Sequence, residues 1–409
     1  MKCRHCAQTL QYCCLDLGCA PPSNAYLTPA QLHAPELHFP LRLYVCDVCF
    51  LVQTEDFAQR EFLFDQDYAY FSSFSSSWLA HAHRYVTQMQ QRFALSEESY
   101  VLEIAANDGY LLQYVQALGI PCCGIEPTAS TAASARAKGL RIVEGFWGEA
   151  LANTLLEEGR QADLIVANNV LAHVPDINDF VRGCASFLKP DGVATFEFPH
   201  LLNMLQLNQF DTAYHEHFSY FSLTAVKRIF EANGLTIFDV EHLPTHGGSL
   251  RVFAQRSQKP QTLWHSEQVE ACLTREREAG VDRLSFYEHF QRTAEAAKNA
   301  LLSYLIECHS QGLRVAAYGA AAKGNTLLNF AGIRSDLLAY VVDKNPSKQN
   351  KFLPGSRLPI VDMAHLIEDR PDRILILPWN LEQEIKQELM QVITWPVQLL
   401  TAVPTLTRV

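Results

Sequence analysis

The sequence predicts an α/β protein: a doubly wound parallel sheet, preceded by a small cysteine-rich unit and followed by a second, smaller α/β unit. Three observations carry that prediction. Short apolar runs alternate with helical periods from Tyr100 to about Gln255. The same alternation resumes at Arg314, and two Cys-x-x-Cys pairs fall within residues 3–49. At 409 residues the chain is longer than one hydrophobic core usually organises. Boundaries are expected near 1–60, 61–258, 259–310 and 311–409.

In the first unit, Cys3-x-x-Cys6 and Cys46-x-x-Cys49 are two knuckles, each able to place two thiolates on one tetrahedral ion. Together they suit a closed zinc site of four cysteines, which leaves no coordination position for chemistry and points to a folding role. Cys13, Cys14, Cys19 and His38 are competing ligands. Cys122, Cys123, Cys184, Cys272 and Cys308 lie in apolar or helical contexts and read as inert buried thiols. An extended piece, Leu41–Cys46, leads into the second knuckle.

Composition narrows the function classes. Hydrophobic residues at 48% and charged residues at 19% describe a globular protein with a sizeable core. A net charge of −11 lacks the basic face that general nucleic-acid binding needs, so no nucleic-acid partner is expected. No apolar run approaches a membrane span, so no membrane partner is expected either. The residues after Met1 carry no apolar signal core, and the expected location is the cytoplasm. Oligomeric state is not legible, and a monomer is compatible with everything above.

A polar and aromatic segment, Asp67-Tyr68-Ala69-Tyr70-Phe71-Ser72-Ser73-Phe74, enters a helical pattern from about Ser77 to Phe93. Strands of the main sheet are expected at Val101–Ala105, Pro121–Ile125, Leu140–Val143, Leu164–Asn168, Gly192–Phe198 and Leu250–Ala254. The first runs into Glu103-Ile104-Ala105-Ala106-Asn107-Asp108-Gly109-Tyr110, a small-residue turn that lets a ligand approach the backbone and the helix start. Ala105 and Asn107 stand where a dinucleotide loop would carry glycines, and only Gly109 remains; this weakens a nicotinamide reading. The second strand ends at Glu126, suited to ribose hydroxyls. Phe146 and Trp147 close the third and could sandwich an adenine, and Asn168-Asn169 close the fourth.

Three features follow strands four and five, at the edge where open α/β sheets bind ligands. They are Ala172-His173-Val174-Pro175-Asp176, Tyr214-His215-Glu216-His217 and Tyr220-Phe221-Ser222. The second gathers groups able to act as acid, base or hydrogen-bond partner. Adjacent residues diverge, which argues against one shared metal ion.

A charged helical stretch is expected from Pro260 to about His309. Strands of the last unit are expected at Arg314–Tyr318, Leu338–Val342, Arg373–Leu377 and Val397–Thr401. The first opens into Gly319-Ala320-Ala321-Ala322-Lys323-Gly324-Asn325, where bare backbone and one lysine could hold a diphosphate. Leu377-Pro378-Trp379-Asn380 is a candidate further wall.

The loop from Glu103 to Gly109 with Glu126 resembles that of the class I S-adenosylmethionine methyltransferases, which have a Rossmann-like fold. The likeness becomes closer over the paired CxxC knuckles, Tyr68–Ser73, Asn168–Asp176, Tyr214–His217 and Tyr318–Asn329. In that order they are similar to the sugar C-methyltransferases of deoxysugar biosynthesis. That resemblance implies a zinc-binding domain, a cofactor domain and a C-terminal domain that helps hold a nucleotide-linked sugar. It implies methylation at C-3 of a nucleotide-diphosphate-linked 4-keto-6-deoxysugar, with S-adenosyl-L-methionine as cofactor and Zn2+ as a structural ion. The expected cofactor contacts are Glu103, Ala105, Asn107, Gly109, Tyr110, Glu126, Phe146, Asn168 and Asn169.

The chemistry suits the residues. A proton on the carbon beside a ketone can be removed by a positioned base, and a donor must face the developing oxyanion. His217 or Tyr214 is the base, with Glu216 orienting it; His173 and Tyr68 contact the sugar. Tyr70, Ser72, His215, Lys323, Asn325 and Asn329 are the further substrate contacts. The rival readings are a zinc-ribbon interaction or nucleic-acid module on a degenerate methyltransferase, a methyltransferase for another small molecule, and a nicotinamide-dependent oxidoreductase.

Overall fold

The computed structural model describes residues 1–55, 57, 71–257 and 266–409. Tyr68 and Tyr70 lie outside the described residues.

The expected central strands form where the apolar runs predict them: β4 (Val101–Ile104), β5 (Cys122–Glu126), β6 (Ile142–Glu144), β7 (Ala162–Asn168) and β8 (Leu188–Pro199). All pair in parallel. Every residue of β4 is buried, as a strand covered on both faces requires. Chain order reverses at β4, which has β5 on one side and β7 on the other. The loops leaving β4 and β7 therefore part and open a crevice at their carboxyl ends.

The sheet is not wholly parallel. β10 (Leu235–Leu243) and β11 (Ser249–Arg256) form an antiparallel hairpin whose second strand runs antiparallel to β8. β10 is not among the expected strands, because Asp239, Glu241 and His242 interrupt its apolar run. The order is β10-β11-β8-β7-β4-β5-β6.

The cysteine-rich unit is built on β1 (Tyr12–Ala20), β2 (Phe39–Val45) and β3 (Val52–Thr54). β1 contains Cys13, Cys14 and Cys19, so these side chains serve a strand rather than the metal site; Cys14 Sγ donates to Leu43 O. The fourth strand of this sheet comes from far along the chain. β9 (Ser219–Tyr220) pairs with β3 through Val52–Tyr220 and Gln53–Ser219. The segment after Tyr214–His217 is thereby stitched into the cysteine-rich unit.

The charged helical stretch is two helices, Glu267–Ala279 and Phe290–Ser310, the first stopped by Gly280 in the left-handed conformation. The last sheet has parallel strands β12 (Val315–Tyr318), β13 (Val341–Val342), β14 (Ile360–Val361), β15 (Arg373–Ile376) and β16 (Gln398–Thr401). A short antiparallel β17 (Thr407–Arg408) closes its edge. β12 lies between β13 and β15, so a second crevice opens after Tyr318 and Ile376.

Gly109 has φ +78°, and a Cβ there would meet Leu140 Cδ1 at 2.3 Å and Ala135 Cβ at 3.3 Å. Gly119 has a similar φ of +73° with open space around it. Gly119→Ala should therefore cost only the left-handed penalty, about 1 kcal/mol. Gly109→Ala should add an overpacking penalty of about 1–3 kcal/mol. Paired denaturant titrations check the difference, which should vanish if Gly109 serves ligand approach alone.

Candidate functional site

The four knuckle cysteines converge. Sγ of Cys3 lies 3.5 Å from Cys49 Sγ, and Sγ of Cys6 lies 3.5 Å from Cys46 Sγ and 3.7 Å from Cys49 Sγ. All four sulfurs fall within 4.8 Å of one another. This is the spacing of one tetrahedral shell. Four thiolates cannot share that volume without a cation. A dication at the centre would lower the pKa of all four thiols together and let each act as a thiolate ligand.

The β4 loop reaches its shape by an unusual route. Ala105, Asn107 and Gly109 all adopt positive φ, at +59°, +50° and +78°. Two non-glycine residues thus take the glycine conformation. Asn107 is braced: its N–H donates to Glu126 Oε2 at 2.9 Å, and its Oδ1 accepts from Ser72 N at 2.9 Å. The other Glu126 oxygen accepts from Thr128 N and Thr131 Oγ1, both at 3.0 Å. Three of the carboxylate's acceptor positions therefore hold its own loops, alongside any ribose contact. Ser72 sits on this loop and not beside the histidines.

Buried polar atoms gather at this crevice. Both Glu103 oxygens, both amide atoms of Asn168 and Oδ1 of Asn169 are buried without a hydrogen-bond partner. Burial pushes the Glu103 carboxyl well above its usual range, and the neighbouring Glu126 and Asp108 carboxylates add to the shift. Orphaned polar groups of this kind are costly, and an amino-acid or ribose moiety placed among them would satisfy them. Tyr110 is buried and stacks on Trp78 at 5.9 Å. Phe146 is half-buried at the end of β6, while Trp147 packs edge-on to Phe187 in the core.

The histidine cluster lies across the sheet edge. The His173 and His217 rings are 4.7 Å apart, and Tyr214 lies 3.9 Å from His217. His173 Nδ1 donates to Glu216 O at 2.8 Å, and His217 Nδ1 to Thr212 O at 3.2 Å. Each bond places the proton on Nδ1 and makes Nε2 the basic nitrogen. Burial lowers His173 to about 4; burial, then the neighbouring His173, holds His217 well below its usual value.

Two expected members of the cluster point elsewhere. The Glu216 carboxylate does not reach His217: Oε1 accepts from Asn24 N and Asn24 Nδ2, both at 3.2 Å. Only its main-chain carbonyl touches a site histidine. His215 Nε2 turns to Phe39 O and Pro40 O at 3.2 and 3.3 Å, serving the cysteine-rich sheet. Successive residues 215, 216 and 217 diverge, so one of the three faces the cluster.

From the last unit, Lys323 Nζ donates to Asn380 Oδ1 at 2.7 Å and lies 4.5 Å over the Trp379 ring. Trp379 Nε1 in turn donates to Asp211 Oδ2 at 2.8 Å. Burial lowers Lys323 to about 8 and raises Asp211 to about 6. The Lys323 charge also bears on His217 and His246, which brings the two crevices together. Asn325 is buried with both amide atoms unpartnered. Asn329 instead donates to Asn325 O and Pro354 O, bracing its own unit.

His246 is a further residue of this site that was not among the expected contacts. It sits at φ +53° in the β10–β11 turn, its Nε2 3.3 Å from Asn169 Nδ2 and its ring 5.3 Å from Trp78. Burial lowers it to about 4. Its neighbour Thr245 donates to Glu197 Oε1 at 2.9 Å, and Glu197 Oε2 accepts from His81 and Arg251, also at 2.9 Å. Burial alone would raise the Glu197 carboxyl, but His81 and Arg251 outweigh it and hold it low. The only sequence signal was a histidine before Gly247-Gly248, which reads as an ordinary turn.

Three family models match successive parts of the chain: "Putative zinc binding domain" over residues 3–64, "Methyltransferase domain" over 78–240, and "C-methyltransferase C-terminal domain" over 244–404. The C-methyltransferase NovU of Streptomyces niveus is 31% identical over 386 residues, covering 94% of this chain and 91% of that protein. A ubiquinone biosynthesis O-methyltransferase of Bradyrhizobium sp. is 31% identical over 96 residues, 23% of this chain and 37% of its own length. Among solved structures, magnesium protoporphyrin IX methyltransferase of Synechocystis PCC 6803 aligns with TM-score 0.36 at 16% identity, covering 44% of this chain and 83% of that one.

The site electrostatics are testable. Between pH 6.5 and about 4 the unfolded chain binds protons that folded His173 and His246 refuse. Their contribution to stability therefore falls as pH drops through that window. Imidazole resonances of His173, His217 and His246 should show no titration between pH 8 and 5.5; a midpoint near 6.5 for any of them would contradict the burial argument.

Proposed function

The chain belongs to the C-methyltransferase family, and we propose that it methylates C-3 of a nucleotide-diphosphate-linked 4-keto-6-deoxysugar. The observation that carries this reading is the convergence of His217, Tyr214 and His173 at the sheet edge next to the β4 crevice. Carbon chemistry is favoured because the candidate base is neutral and buried, with the Tyr214 ring packed against it. Four cysteines in one tetrahedral shell suit a structural zinc ion with no open position for chemistry.

Glu103, Asn107, Asn168 and Asn169 would hold S-adenosyl-L-methionine through the unpartnered atoms and braced backbone of the crevice, with Tyr110 and Phe146 as its apolar walls. The bound cofactor supplies an electrophilic methyl group. His217 Nε2, made basic by the Nδ1–Thr212 bond, accepts the proton from the carbon beside the ketone. The Tyr214 hydroxyl is the better donor to the ketone oxygen, since His217 carries its proton on Nδ1 and has none on Nε2 to give. His173 is fixed by Glu216 O as a second neutral contact to the sugar. Lys323 and buried Asn325 face the diphosphate and the nucleoside from the last unit. The β-strand architecture then needs only to align the nucleophilic carbon with the methyl group.

His217→Asn should keep S-adenosylhomocysteine affinity and lower kcat by about 10²–10⁴-fold. Mass spectrometry of thymidine- and guanosine-linked 4-keto-sugars incubated with enzyme and cofactor should show the gain of one methyl group. A His217→Asn enzyme with full turnover, or no methyl gain on any keto-sugar, would count against the reading.

Lys323 offers a separate check. Its ammonium loses charge above about pH 8, so KM for the sugar nucleotide should rise there. Lys323→Arg, which stays charged, should move that rise to higher pH; an unchanged profile would remove Lys323 from the diphosphate site.

A further inference from the structure

One residue reaches from the metal centre to both histidine loops. Arg4 stands between the knuckle cysteines Cys3 and Cys6. Its Nη2 donates to Thr54 O at 3.0 Å, its Nε to Phe218 O at 3.3 Å and its Nη1 to Pro175 O at 3.5 Å. Its guanidinium also lies 5.0 Å from the centre of the Phe218 ring. Phe218 follows His217 directly, and Pro175 is two residues beyond His173. Thr54 completes the arrangement, because its Oγ1 donates to His217 O at 3.1 Å.

We propose that Arg4 is a positioning residue for the methyl-transfer reaction: its planar fork fixes the loop of His173 against the segment of His217 that precedes β9. The four-cysteine metal centre holds Arg4 in place. This inference rests on the reading that places proton removal at His217. The main chain of the knuckle is clamped on both sides. Arg4 N donates to Gln53 Oε1 at 2.9 Å, and Gln53 Nε2 donates to Cys3 Sγ at 3.4 Å. On the other side Asn178 Nδ2 donates to His5 O at 2.8 Å, and the His5 ring meets Asn178 Oδ1 at 2.9 Å. A metal bound through Cys3 and Cys6 thus fixes the backbone at both ends of Arg4. Three carbonyls on three segments need a rigid multi-donor cation; a lysine ammonium is a point charge and cannot span them.

The test uses the full-length zinc-loaded enzyme with Arg4→Lys and Arg4→Ala. Zinc content, S-adenosylhomocysteine affinity and KM for the sugar nucleotide should stay near wild type. The kcat should fall by about 10²-fold, the effect of a misplacement near 1 Å. Added guanidinium ion should restore part of the kcat of Arg4→Ala, which a merely weakened fold would not allow. Wild-type kcat in zinc-loaded Arg4→Lys would overturn the proposal, as would a loss of cofactor affinity matching the loss of kcat. Should Arg4→Ala fail to hold zinc, Arg4→Lys decides alone. The two readings fail separately: an active His217→Asn enzyme sinks the base assignment, whereas an active Arg4→Lys enzyme sinks the role of Arg4.

Discussion

Two hydrogen bonds tie the loop after β7 to the segment before β9. Phe218 N donates to Ala172 O at 2.7 Å, and His173 Nδ1 donates to Glu216 O at 2.8 Å. They set the separation of His173 and His217, and most of the site follows from them. The first has a single 3-10 turn, Leu171–His173, and the second no regular element between Ala213 and Phe218, so each imidazole depends on the other segment for its position. The β3–β9 ladder and Arg4 extend the same stitching into the cysteine-rich unit. A metal centre without an open coordination position can still matter to chemistry, by fixing the backbone from which a base projects.

The same packing sets the electrostatics. Excluding water from the histidine cluster makes every charge expensive, and the groups divide by whether a partner is at hand. Glu197 stays ionised because Arg251 and His81 surround it. His173, His217 and His246 have carbonyl, amide or aromatic neighbours instead, and stay neutral. Lys323 lies between these cases, with Asp211 offsetting part of its burial. A neutral imidazole beside a phenol is the condition a general base needs before its substrate arrives.

Much of this was legible in the sequence, and the remainder was hidden for particular reasons. Parallel strands buried on both faces read as apolar runs, so β4, β5, β7 and β8 were visible. Metal spacing is a local signal, and the CxxC pairs carried it. β9 is two residues long and forms only because β3 recruits it across more than 160 positions, a contact no local pattern encodes. Glu216 was misdirected for a related reason: in Tyr214–His217 neighbours diverge, and the choice of which residue faces the cluster belongs to the partner Asn24. His246 escaped notice because a histidine beside two glycines looks like a turn, and its role depends on what the turn touches.

The positive-φ residues of the site share a physical logic. Ala105, Asn107, Asn169 and His246 all take a conformation that costs a non-glycine residue about 1–2 kcal/mol. Glycine would remove that cost at each position, but it would also remove the Asn107 amide that accepts from Ser72, and the Asn169–His246 contact that joins the β4 crevice to the β10–β11 turn. A floppier loop would also need ordering each time a ligand bound. The degenerate glycine pattern that made the loop hard to read is therefore consistent with preorganisation: strain is held in the folded chain by Glu126, Ser72 and His246, and the crevice keeps its shape before any ligand enters.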